Sequence, residues 1–145
     1  MDKKELINLG IKLIGGLIVV CLIVIVVYWI VKKTKNAATK IKLNAEANAE
    51  IDPAKVTMPV TQVNNIVSKL KSAFYSGLWG MTEDEEAIYE AFEMVGSRSD
   101  VLMVEKEFGV YKDMTLKEHI HEHLNEDEIA HINEILSAKN IDYKY

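Results

Sequence analysis

Nineteen consecutive residues, Leu13 to Val31 (LIGGLIVVCLIVIVVYWIV), carry no charged side chain. This run constrains the chain more than any other feature. As a helix it reaches about 28 Å, the thickness of the hydrocarbon core of a bilayer. A charge buried in hydrocarbon costs several kcal/mol, so a spanning helix keeps lysines at its ends, as Lys12 stands before this run and Lys32, Lys33 and Lys35 after it. Tyr28 and Trp29 sit where interfacial aromatic residues belong. The expected membrane-interface set is therefore Lys12, Tyr28, Trp29, Lys32 and Lys33, with the lipid bilayer as the partner of residues 13–31. A cleaved signal peptide has a shorter apolar region that leads into small residues, and a soluble core helix seldom stays apolar on every face. This run meets Lys32-Lys33 instead. Its valine and isoleucine content does not oppose helix in lipid, where an unpaired amide costs far more than a propensity penalty.

Lysine asymmetry gives an expected orientation. Lys3, Lys4 and Lys12 precede the run, whereas Lys32, Lys33, Lys35, Lys40 and Lys42 follow it. The excess places the carboxyl-terminal portion in the cytoplasm or its topological equivalent, with residues 1–12 as a short outer flank. Charge also divides along the chain. Residues 1–55 hold nine lysines against five acids, net +4, and residues 56–145 hold eight basic residues against 17 acids, net −9. An acidic carboxyl-terminal domain argues against nucleic acid as a partner, since phosphates need a basic footprint, and points to a protein partner or a homo-oligomer. The single cysteine, Cys21, falls inside the apolar run, so no internal disulfide or thiolate cluster can form elsewhere.

Residues 32–55 form a juxtamembrane stalk or linker. The segment from Thr34 to Lys55 is rich in Ala, Lys, Asn and Glu and has no large aromatic residue, so no core is expected in it. Either the helix continues through it until Asp52-Pro53 stops it, or the segment is a disordered tether.

Residues 56–145 read as five short helices. Val60, Val63, Val67, Leu70 and Phe74 recur at spacings of three and four, the signature of one buried helical face, and Gly77 ends that helix. Thr82 with Glu85 forms a capping box before the stripe Ile88, Phe92 and Val95, closed by Gly96. A third helix starts near Ser97 or Ser99, buries Val101, Val104 and Phe108, and ends at Gly109. Thr115 with Glu118 opens a fourth, striped by Leu116, Ile120 and Leu124; Asn125 with Glu128 opens a fifth, striped by Ile129, Ile132 and Leu136. Asn140 is suited to the left-handed cap. The expected fold class is all-α: one transmembrane helix plus a compact five-helix domain.

The helix order, the Gly80-Met81-Thr82-Glu83-Asp84-Glu85-Glu86-Ala87-Ile88 start, the Ser97-Arg98-Ser99 link and the Phe108-Gly109-Val110 segment resemble a single annexin-type repeat. The likeness covers roughly residues 60–138 and is similar to the single-copy repeats of bacterial and phage proteins, especially of Bacteroidota and their viruses. It implies a five-helix domain, and a phage or virion association for the chain. In the family, the loop between the first two helices supplies carbonyls to calcium, and a later acidic residue completes the site. Here Thr82 replaces a loop glycine of the motif and His123 takes the best-aligned fourth-helix position, a poor ligand for a cation that prefers oxygen.

His119 and His123 lie four apart, with Glu122 between them, and are the weak candidates for a metal. The helical wheel, with its buried arc on Leu116, Ile120 and Leu124, puts His119 and His121 on solvated flanks and His123 at the core edge. No phosphate-cradling glycine loop and no nucleophile elbow occurs, so neither a catalytic residue nor a cofactor is expected. Trp79 is the expected partner-contact anchor. Together these features imply a single-pass, membrane-anchored structural or adaptor protein rather than an enzyme. The alternative is a calcium- or metal-dependent membrane-binding protein or small membrane-tethered enzyme, for which the histidines and acids must converge.

Overall fold

The structure is a computed structural model that describes the backbone of residues 3–76 and 83–145, with side chains from residue 16 onward in that range. Gly77, Trp79 and Thr82, on which a helix stop, the contact anchor and one capping box were expected, lie outside the described residues, as does the Lys12 side chain. Among the described residues the chain is all-α, with no strand. Its α-helices are α1 (Lys3–Glu50), α2 (Val60–Ala73), α3 (Glu85–Glu93), α4 (Arg98–Phe108), α5 (Leu116–His123) and α6 (Glu126–Ala138). A 3-10 turn at Pro53–Lys55 separates α1 from α2. The chain divides into two compact units, Met1–Ala38 and Thr39–Tyr145.

The first unit holds α1 as far as Ala38. Every large apolar side chain from Leu17 to Val31 is 53–68% exposed, and this helix is long and apolar enough to cross a membrane. At the end of the apolar run the Lys32 ammonium lies 5.7 Å from the Tyr28 ring centroid.

In the second unit, α2 packs on α3 and α4, α3 on α6, and α4 on α5. The core is drawn from all five helices: Val63, Ile66, Val67 and Leu70 on α2, Ile88 and Phe92 on α3, Val101, Val104 and Phe108 on α4, Leu116 and Ile120 on α5, and Ile132 and Leu136 on α6. Val60, expected in the first stripe, is 60% exposed instead. It is the first residue of α2, and Ile66 takes the buried place beside Val63 and Val67. Ile129 is only partly buried.

Helix ends follow local chemistry. Capping boxes are present at Thr115/Glu118 and Asn125/Glu128, and Ser97 accepts from the Asp100 amide. Helix α3 starts at Glu85 with Asp84 as its cap, the Asp84 carboxylate accepting from Ala87 N at 3.0 Å. Asn140 adopts φ +58° past α6. Asn140 N donates to Ser137 O at 2.9 Å and Ile141 N to Leu136 O at 3.0 Å, the paired bonds of a Schellman stop with buried Ile141 against buried Leu136.

The end of α1 belongs to this unit, although its composition suggested that it packs against nothing. Ala47 is 4% exposed, Lys106 Nζ donates to Asn48 Oδ1 at 2.6 Å, and Arg98 pairs with Glu50. The helix then stops as expected at the Asp52-Pro53 step, where the Asp52 carboxylate caps Ala54 and Asp52 N donates to the buried Ser99 hydroxyl at 3.0 Å.

Candidate functional site

Three polar clusters are built into the Thr39–Tyr145 unit. The first centres on α5. Leu116, His119, Ile120, His123 and Leu124 recur at three and four residues, so the inward arc is wider than the aliphatic stripe alone. His119 is fully buried, a correction to the solvated flank expected for it. Four aromatic neighbours account for the difference. His119 stacks on Phe74 at 5.1 Å and 23° and meets Phe108, Tyr75 and Tyr111 with centroids at 5.3, 5.6 and 6.0 Å. Its Nε2 donates to the Tyr111 carbonyl at 2.9 Å, and the Tyr75 hydroxyl lies 3.4 Å from its Nδ1. His123 stacks on His119 at 5.5 Å and 22°, with its own Nε2 buried and unpartnered.

The metal candidates do not converge. His119 has committed Nε2 to a carbonyl, Glu122 is exposed, and no three His, Cys, Asp or Glu side chains group together among the described residues. A shallow groove of about 550 Å³ on the outer side of α5 is lined by Met114, Lys117, Glu118, His121 and Glu122. Glu118 is already occupied there as the partner of Thr115.

The segment that His119 grips is a tight turn. Tyr111 and Met114 exchange both backbone hydrogen bonds, at 2.9 and 3.0 Å, across Lys112 (φ +45°) and Asp113 (φ +72°). Positive φ at both central positions is the geometry of a type I′ turn, tolerated by Asp and unfavourable for Lys. The Lys112 ammonium sits 3.2 Å from the Tyr75 centroid, and Lys71 lies 5.1 Å from Phe108 and 5.4 Å from Tyr111. Burial lowers the Lys71 ammonium below the usual lysine range and raises the Tyr75 phenol. Tyr75, Tyr111 and Lys112 did not follow from helical periodicity, because they lie between helices.

The second cluster surrounds Glu105 of α4, 8% exposed. Tyr143 Oη donates to Glu105 Oε1 at 2.7 Å, and the buried Tyr145 hydroxyl faces the same carboxyl without completing a hydrogen bond. Asn133 fixes the Tyr145 backbone in both senses, accepting from its N at 2.9 Å and donating to its O at 3.3 Å. Burial raises the Glu105 carboxyl above the ordinary glutamate range, against the opposing pull of the two phenols and Lys117. A raised folded-state value means that Glu105 contributes stability fully below its unfolded value of about 4.3 and loses it as pH rises through the folded value. Glu105→Gln keeps an acceptor for Tyr143 and removes the charge. It is therefore expected to raise the melting temperature at about pH 8 and to leave it little changed at about pH 4. A lower melting temperature at about pH 8, measured by differential scanning calorimetry of the solubilised chain, would show that Glu105 works as a carboxylate.

The third cluster closes the α1–α2 connection. Asp100 is fully buried and accepts from Thr57 N at 2.9 Å, Thr57 Oγ1 at 2.5 Å and Gly96 N at 3.1 Å. A side chain at Gly96 would collide with Thr57 Oγ1, which explains glycine there without any special backbone angle.

Compared with protein-family models, curated proteins and solved structures, the chain matches none of them.

Proposed function

We propose that this chain is a single-pass, membrane-anchored structural or adaptor protein whose acidic five-helix domain makes protein–protein contacts. The observation that carries this reading is the continuous apolar surface of α1, with each large side chain from Leu17 to Val31 at least 53% exposed. Leaving that surface in water costs on the order of tens of kcal/mol, so something apolar covers it. Its length, its lysine flanks and Tyr28-Trp29 suit lipid. The adaptor role is supported by the use of the domain's buried polar groups, His119, Glu105 and Asp100, in internal hydrogen bonds. The annexin-type resemblance, and with it a phage or virion setting, rests on the sequence motifs alone. Gly80, Met81 and Thr82, which open the quoted motif, lie outside the described residues.

Alkaline carbonate extraction of membranes from cells expressing the full chain tests the anchor. The chain is expected in the pellet, and recovery in the supernatant as a discrete soluble oligomer would overturn the reading. Lysine asymmetry further orients the domain to the cytoplasmic side. Protease added outside intact cells should then leave residues 56–145 uncut.

A further inference from the structure

The Tyr111 carbonyl can only accept, so the His119 proton sits on Nε2 and Nδ1 is the bare nitrogen facing the Tyr75 hydroxyl. A second proton must enter at Nδ1, on a ring that stacks on Phe74 and meets Phe108 edge to face. The groups around it do not welcome a cation. Helix α2 contributes Lys71 and the residue after its C-cap, Tyr75; the turn contributes Tyr111 and Lys112, α4 contributes Glu107 opposite Lys71, and α5 contributes His123, Glu118 and Glu122. Neither hydrogen-bond partner of His119 is a carboxylate: Glu118 is held by Thr115, and Glu122 is exposed. Next to Nδ1, the Tyr75 ring already carries the Lys112 ammonium on its face, and Lys112 is held in a left-handed backbone conformation that a residue with a Cβ disfavours.

We propose that the His119–His123 stack is a proton-operated latch: uncharged, it holds the Tyr111–Met114 turn and α5 against Phe74 and Tyr75, just past the end of α2, and charged, it releases them. On protonation, a buried positive charge arrives beside a second imidazole and beside Lys112. The backbone preference of Lys112 then favours opening of the turn. Release uncovers the rings of Phe74, Tyr75, Phe108 and Tyr111. Burial holds the His119 imidazole below the ordinary histidine range, with His123 and Lys112 acting in the same direction and the Tyr111 carbonyl and Glu118 opposing. A lowered folded-state value makes the closed form's advantage complete above the unfolded value of about 6.5 and diminishing as pH falls below it. The latch therefore opens on acidification and not on alkalinisation.

Hydrogen exchange of the full chain in detergent micelles, compared at about pH 7.5 and about pH 5.5 after correction for intrinsic rates, tests this. Residues 109–124 are expected to lose protection several-fold at the lower pH while α6 keeps its own. His119→Phe preserves the ring stack but cannot titrate, and its exchange should be insensitive to pH over the same interval. Equal loss in both segments, no loss in either, or a pH response that survives in His119→Phe would overturn the latch. If that variant does not fold, the His119 ring signals of the unaltered chain decide by NMR titration. Coincidence of the imidazole midpoint with turn opening supports the latch, and an imidazole that titrates while the turn stays closed refutes it.

Discussion

Phe92→Ala is expected to destabilise the Thr39–Tyr145 unit by about 3 to 5 kcal/mol, the range for removing a wholly buried aromatic ring. Phe92 is 2% exposed on α3, among Ile88 and Ala91, and its ring meets that of Tyr145 at 5.2 Å and 65°. Truncation therefore removes both the core contact of α3 and the floor on which the terminal tyrosine rests. Domains of this size are stable by only about 5 to 15 kcal/mol, so the variant should be substantially unfolded at physiological temperature. Denaturant unfolding of the solubilised chain, followed by tyrosine fluorescence, measures the effect. A midpoint within error of the unaltered protein would mean that α3 presents a different face to the core.

The second large effect is expected at Asp100. Its carboxylate takes three donors, from Thr57 N, Thr57 Oγ1 and Gly96 N, and its own amide is held by Ser97 Oγ. Desolvation acts to raise the Asp100 carboxyl, and the hydrogen bonds outweigh it, so the net position lies below the ordinary aspartate range. Asp100→Ala strands these donors and is expected to cost about 3 kcal/mol, since hydrogen bonds to a charged group are worth more than neutral ones. A lowered folded-state value contributes stability above the unfolded value of about 3.9 and loses it as pH falls through the folded value. Acid unfolding of the unaltered chain should thus carry an Asp100 component that Asp100→Asn removes, flattening stability between about pH 4 and pH 2. An acid profile identical in the two proteins would assign the acid sensitivity elsewhere.

The features legible in the sequence were those that repeat or punctuate. Thr115/Glu118 and Asn125/Glu128 are read from residue type at fixed offsets because a cap is a local hydrogen-bond problem, and Asn140 tolerates positive φ for an equally local reason. Ser97-x-x-Asp100 belongs to the same grammar, but what it does is not local: Asp100 reaches Thr57, 43 residues away. His119 was missed because the buried arc was drawn through aliphatic residues alone. A polar ring at the i+3 place of the same stripe was assigned to solvent, whereas the Tyr111 carbonyl and the Phe74 face make the interior suitable for it. The Tyr143 and Tyr145 anchors lie beyond the last helix, where no periodicity applies, and only the tertiary position of Glu105 and Asn133 gives them partners. Ala47 gave no signal because a methyl group is as common on an exposed helix face as on one pressed against a neighbour.

The burial of Ala47, with the Glu50–Arg98 pair and the Asn48–Lys106 bond, changes where this molecule can be cut and spliced. The seam between its compact units falls after Ala38, in the middle of a helix, rather than at the proline that follows α1. The apolar helix and the helical domain are therefore not interchangeable cassettes joined by an inert spacer. A chimera that grafts another apolar helix at Pro53 would leave Arg98 and Lys106 of α4 without Glu50 and Asn48, whereas a graft at Thr39 carries the whole packed unit with it.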